Sequence, residues 1–126
     1  MSHPLHHSIS SQRKHGGTIE DYLPLHNWFD ETKSSYPDMR HRALRHHSEG
    51  IFWAEEKFGV YIINSDGKMV PTRVLGEQHV MEDIGFIPTI KDYLDNMTVQ
   101  NWMFKPGEGR KVLKEISEQK LDHVNQ

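Results

Sequence analysis

The sequence predicts a mainly α fold of the α+β type: a small helical domain with one two-stranded β-hairpin packed on the helices. Three observations lead there. Apolar residues recur at helical spacing through most of the chain. One Asp-Gly pair, Asp66-Gly67, separates the only two β-rich runs. Gly and Pro punctuate the remainder where helices should begin and end. At 126 residues the chain suits a single domain, read as residues 1–104 followed by a tail over 105–126. A chain of this length buries roughly two-thirds of its unfolded surface and folds without staples.

Residues 3–15 read as a helix, with Pro4 at the first helical position and Gly16-Gly17 ending it. Leu5 and Ile9 mark its apolar side, which places His6 toward the core and His3 and His7 toward solvent. Thr18 and Asp21 have capping-box spacing, and Pro24 then restarts the chain as a helix to about residue 33, with Leu25, Trp28, Phe29 and Thr32 on one side. After a connection at 34–37, the longest helix is expected over 37–58, stopped by Gly59. On it Arg40, Leu44, His47, Ile51, Ala54 and Phe58 form one stripe. Residues 60–63 and 69–75 are the strands, joined by Asn64–Lys68, and Pro71 makes the second an edge strand. Residues 76–83 read as a short helix closed by Gly85, and Thr89 with Asp92 caps another. A joint follows Trp102, and residues 110–122 carry Val112, Leu113, Ile116 and Leu121 as an amphipathic helix.

The chain has no cysteine, which excludes disulfides, thiolate zinc sites and cysteine nucleophiles, and points to a cytoplasmic protein. No apolar run approaches the roughly 20 residues of a membrane span, and no signal peptide is expected. A formal charge of −3 makes nucleic acid an unlikely partner. The basic run from Arg40 through His41, Arg42, Arg45 and His46 to His47 reads as a solvated helix face, with a phosphate or acidic-partner patch as its functional alternative.

The ten histidines are the outlier. His26 and Asp30 stand four apart on one expected helix, His79 and Asp83 on another, so each pair shares a helix face. His47 lies within the apolar stripe, where a buried ring needs a partner. If the helices pack around one centre, His26, Asp30, His47, His79 and Asp83 form a ligand set for a divalent metal, Zn²⁺, Mn²⁺ or Fe²⁺. Metal-bound water would then attack a phosphoester, with Glu55, Glu77 or Glu82 as base and Arg40 holding the phosphate. The competing reading is a polar cluster in which carboxylates fix histidine tautomers to support the core or bind a ligand.

Several segments together resemble a small family of uncharacterised bacterial and phage proteins of no assigned function. They are His3-Pro4 with Ser8, Gly16-Gly17, Glu20-Asp21-Tyr22, His26 to Glu31, Arg40 to Gly50, Gly76 to Val80 with Glu82-Asp83, and Ile87-Pro88-Thr89. The resemblance covers about residues 3–104 and implies no reaction. The adjacent His-Asp pair of HD-type phosphohydrolases is absent, as is the HExxH zinc motif. Two functions are therefore expected from the residues: a histidine-rich metal site acting hydrolytically, or a non-catalytic phage or mobile-element accessory protein that binds a small ligand or a host protein. The edge strand and the tail leave room for a homodimer.

Overall fold

The computed structural model describes residues 3–107 and residue 115. The helix expected over 110–122 lies outside the described residues, Glu115 apart. The chain divides into two compact units, residues 1–95 and 96–126. In the second, the described residues form a single 3₁₀ turn, Asn101–Met103. All other elements belong to the first.

Helix α1 spans Pro4–His15, with Pro4 in its first turn and Gly16 beyond its end. The Thr18–Asp21 capping box closes only a 3₁₀ turn, Ile19–Asp21. Helix α2, Leu23–Asp30, restarts at Pro24 and yields to another 3₁₀ turn, Glu31–Ser34. The hairpin pairs β1, Tyr61–Ile63, with β2, Met69–Pro71, antiparallel, with Ile62 opposite Val70. Helix α5 covers Thr72–Ile84 and α6 covers Ile90–Leu94, the latter opened by the Thr89–Asp92 capping box.

Three expectations are corrected. The second strand ends at Pro71 rather than Leu75, because Leu75 belongs to the helical set Leu75, Gln78 and His79, all buried. In α1 the buried face is His7, Ser8 and Ser11, while Leu5 is 42% exposed and His6 faces solvent. The helix packs its small polar side inward because histidines and carboxylates, not aliphatic groups, await it there.

The third correction is the largest. No helix runs from 37 to 58. A 3₁₀ turn, Met39–His41, leads into the one-turn helix α3, Arg42–Arg45, and helix α4 begins afresh at Ser48 and ends at Phe58. Between them His46 has φ −88°, ψ 66° and His47 is extended at φ −160°, ψ 173°. The stripe therefore does not exist as drawn: Leu44 is 50% exposed and Arg40 lies on the surface, while Ile51 and Ala54 enter the core. The break is held by close packing. A side chain on Gly50 would place its Cβ 1.9 Å from the Arg45 carbonyl oxygen, so the backbone of α3 lies directly against the first turn of α4.

Helix α2 sits among α1, α4 and α5. Its Leu25, Trp28 and Phe29 join Tyr22, Ile51, Ala54, Val70, Leu75 and Val80 in the apolar core. Gly76 permits the close approach of α5, since a Cβ there would stand 3.2 Å from both Ile51 and Phe29. Phe29 also stacks on His79, ring centroids 4.7 Å apart, which is where the apolar core gives way to a polar one.

Candidate metal centre

Beside the apolar core, five histidines from four parts of the chain converge on two aspartates. His7 comes from α1, His26 and Asp30 from α2, His41 and His46 from either side of α3, and His79 and Asp83 from α5. All five rings are at most 1% exposed. Asp30 and Asp83 are the hub. The Asp83 carboxylate faces His7 Nε2 at 3.1 Å, His46 Nε2 at 3.0 Å and His79 Nε2 at 3.2 Å. Asp30 Oδ1 faces His46 Nε2 at 3.3 Å, His79 Nε2 at 3.5 Å and His41 Nε2 at 3.8 Å.

The outer hydrogen bonds fix how these rings point. The Ser11 hydroxyl donates to the His7 carbonyl at 3.0 Å, so its oxygen accepts from His26 Nε2–H at 2.8 Å. In the neutral ring His26 Nδ1 is then the acceptor, and it meets His79 Nδ1 at 2.9 Å. Burial, followed by the neighbouring imidazoles of His79 and His7, pushes the His26 pKa down to about 2, which keeps that ring neutral. His79 must therefore donate from Nδ1 and turn Nε2 toward the two aspartates. Because His26 spends both nitrogens on this relay, it orients His79 and leaves no nitrogen free for an ion. His41 is set in the same way: Nδ1 donates to the Asp38 carbonyl at 2.7 Å, and Nε2 points at Asp30.

In their neutral forms, then, His41 and His79 aim lone pairs at carboxylate oxygens. Both Nε2 atoms are buried without a hydrogen-bond partner, as is Asp30 Oδ2. Such an arrangement costs several kcal/mol unless positive charge, carried by a proton on the ring or by a bound cation, lies between the groups. The carboxylates hold their charge. Burial alone would raise Asp30 and Asp83, but the imidazoles of His46, His79 and, for Asp83, His7 outweigh it and hold both well below the usual carboxylate range. Burial likewise disfavours charge on His7 and His46, yet Asp83 with Glu82 raises the first and Asp30 with Asp83 raises the second.

The spacing would suit a coordination shell as well as the hydrogen bonds that His7 and His46 make to Asp83. Atoms bound to one ion at about 2.1 Å stand roughly 3.0 Å apart in an octahedron and roughly 3.4 Å apart in a tetrahedron. The contacts of His7, His46 and His79 with the two aspartates run from 3.0 to 3.5 Å. Two groups have ligand atoms all within 4.8 Å of one another: His7, Asp30, His79 and Asp83, and separately Asp30, His41 and His46.

Of the residues singled out by sequence, the structure brings His26, Asp30, His79 and Asp83 together. His47 stands outside both groups. Its Nδ1 accepts from the Gly50 amide at 2.9 Å as the N-cap of α4, and its ring packs edge-on against Trp53 and Tyr93. Arg40 is on the surface, paired with Asp38 at 2.7 Å and lying over Tyr36. Glu55 faces Arg73 at 3.6 Å, and Glu77 is half-buried on α5. Glu82 does reach the cluster, at 2.9 Å from His7 Nδ1, with Ser10 and Gln78 also donating to it. Burial would raise its pKa, but the bonds from His7 and Ser10 win and lower it. That makes Glu82 a poor general base near neutrality and a good orienter of His7, whose Nε2 is left facing Asp83.

Sequence reasoning missed His7, His41 and His46. His7 was legible from the polar set His7, Ser8 and Ser11 on one face of α1. Gly50, four residues past His46, hinted at the break that turns His46 inward. Nothing in the pattern marks His41.

Comparison with known proteins adds one fact. The chain belongs to the family of a domain of unknown function, DUF6915, whose profile matches residues 2–103. No curated protein and no solved structure matches it. Among the described residues no helix is long and apolar enough to cross a membrane.

Proposed function

For this member of the family we propose a divalent-metal-binding domain, its centre built from His7, His79, Asp30 and Asp83 with His46 at their edge. One observation carries the reading: the Ser11–His26–His79 relay fixes a tautomer that points the buried His79 Nε2 at two carboxylates, where it has no hydrogen-bond partner. A cation bound there satisfies the lone pair and both carboxylates together. The donor set of imidazoles and carboxylates without thiolate suits Zn²⁺, Mn²⁺ or Fe²⁺. Phosphoester hydrolysis is the reaction such an ion supports when a coordination position opens to substrate. The burial of the ligands favours binding ahead of turnover, since a catalytic ion needs a cleft.

The test is metal content by mass spectrometry on untagged protein kept away from nickel resin, with His79→Gln alongside. Near-stoichiometric zinc, manganese or iron that falls away in the variant is the expected result. Well-folded protein that neither carries nor takes up any of the three ions would refute it. A bound ion at a hundred times its Kd stabilises the fold by about 2.7 kcal/mol, so a melting curve with and without added metal gives an independent readout.

A non-catalytic role toward a small ligand or another protein is the second reading. It is favoured by the apolar side chains of α4 that face solvent, Phe52 at 51% and Trp53 at 40% exposure.

A further inference from the structure

Resting on that metal reading, we infer that the centre is dinuclear: Asp30 bridges two divalent cations, the second held by His41 and His46. The two groups of ligand-capable residues share one member, Asp30. A carboxylate common to two N/O donor sets is the usual bridge of a two-metal site, in which the ions lie about 3.5–4 Å apart. Asp30 has the lone pairs for it. Oδ1 faces the three Nε2 atoms of His41, His46 and His79, while Oδ2 is buried and has no hydrogen-bond partner.

His41 is the independent observation. The ring is fully buried, and its Nδ1 is committed to the Asp38 carbonyl. Its Nε2 is unpartnered and points at Asp30 from 3.8 Å, too long for a hydrogen bond. It is a member of the second group and not of the first. A single ion held by His7, His79, Asp30 and Asp83 leaves it unexplained.

The two sites differ in ligand count. Four protein ligands complete a tetrahedral site, whereas three leave capacity for water or a substrate oxygen. The ion at His41, His46 and Asp30 is therefore the one with coordination capacity to spare, and the ion nearer His7 the saturated one.

Manganese is the probe, because two Mn²⁺ ions sharing a carboxylate are exchange-coupled and give an electron paramagnetic resonance spectrum unlike that of isolated Mn²⁺. Full-length protein is stripped with chelator and titrated with Mn²⁺ by equilibrium dialysis, and the loaded sample is examined by resonance. Two ions per chain with a coupled spectrum is the expected result. His41→Gln, or His41→Leu if the first does not fold, should retain one ion and show the uncoupled spectrum. One ion per chain in the wild type would overturn the dinuclear assignment and leave the metal reading intact. Two uncoupled ions would overturn the Asp30 bridge. Uptake of neither Mn²⁺ nor Zn²⁺ would remove both readings. The wild-type stoichiometry and spectrum decide the matter whether or not the variants fold.

Discussion

Replacing Gly50 with alanine separates two descriptions of the chain by the sign of one number. If residues 37–58 formed an unbroken helix, Gly50→Ala would stabilise it by roughly 0.5–1 kcal/mol, because glycine is a poor helix former. In the structure the new Cβ would instead stand 1.9 Å from the Arg45 carbonyl oxygen and 2.6 Å from its carbon. Both obstacles are backbone, so no side chain can swing aside, and the two helices must part by more than about 1 Å. Overpacking of a tight interior costs about 1–3 kcal/mol, and backbone-on-backbone contact lies at the upper end. After subtracting the helix-propensity gain, a net loss of about 2 kcal/mol is expected. For a unit of this size that lowers the melting temperature by roughly 8–16 °C. Because Arg45 immediately precedes His46, the same displacement moves a ring that stands 3.0 Å from Asp83, so metal affinity should fall as well. Urea denaturation and metal titration of the variant measure both. A variant more stable than wild type would refute the account of the break and, with it, of how His46 reaches the centre.

Three further outcomes are expected. His47→Ala removes the side-chain cap of α4, about 1 kcal/mol, and empties a buried ring site against Trp53 and Tyr93, so it should cost about 2–4 kcal/mol of stability with metal content unchanged; loss of metal would place His47 in the centre after all. Ser11→Ala takes away the acceptor for His26 Nε2, freeing the relay that orients His79, and should weaken metal binding about 10–100-fold; unchanged affinity would show that the relay is not needed. Asp21 has a lowered pKa because the amides of Thr18 and Ser65 donate to its carboxylate. Stabilisation from a depressed carboxylate is present above its unfolded value of about 3.9 and is lost as pH falls through the folded value. Wild type should therefore melt higher than Asp21→Asn at neutral pH and converge with it in acid, and a gap that persists undiminished at pH 2 would contradict this.

How far the centre could be read from sequence follows from the range of each interaction. His26 with Asp30 and His79 with Asp83 are four-residue pairs on helices, a local pattern that needs no tertiary knowledge. The hairpin was legible from Asp66-Gly67, and the α2 restart from Pro24, because each signal resides in its own few residues. The break at His46 and His47 had Gly50 as its one local mark, because it is stabilised by groups distant in sequence. Arg45 donates to the Trp28 carbonyl at 2.6 Å, the Ser48 amide donates to Pro88 at 2.9 Å, and the Tyr93 hydroxyl donates to the His46 carbonyl at 2.9 Å. Helical periodicity, the strongest signal over residues 37–58, carries no trace of those partners. In α1 the apolar side drew attention to Leu5 and Ile9. The buried side was the polar one, made favourable by Glu82 and Asp83 facing His7 and by His26 and Gln78 bonding Ser11.

The break also explains why two adjacent histidines have different duties. In a continuous helix, neighbours diverge by about 100°, so His46 and His47 could not both be buried on one narrow stripe. Ending α3 at Arg45 lets His46 turn toward Asp30 and Asp83, while the extended backbone at His47 lets that ring cap the next helix. Each duty needs the other. Without the cap, α4 would begin with unsatisfied amides against a buried interface; without the turn at His46, the two aspartates would lose the ring nearest to both. The clamp from outside completes the device. Glu49 accepts from the Ile90 amide at 2.8 Å and Tyr93 holds the His46 carbonyl, so the segment around α6, which contributes no ligand-capable group to the centre, fixes the position of a residue that does. Changes at Pro88, Ile90 or Tyr93 should consequently be felt at the centre through His46 before they are felt by His7 or His79, whose helices they do not hold.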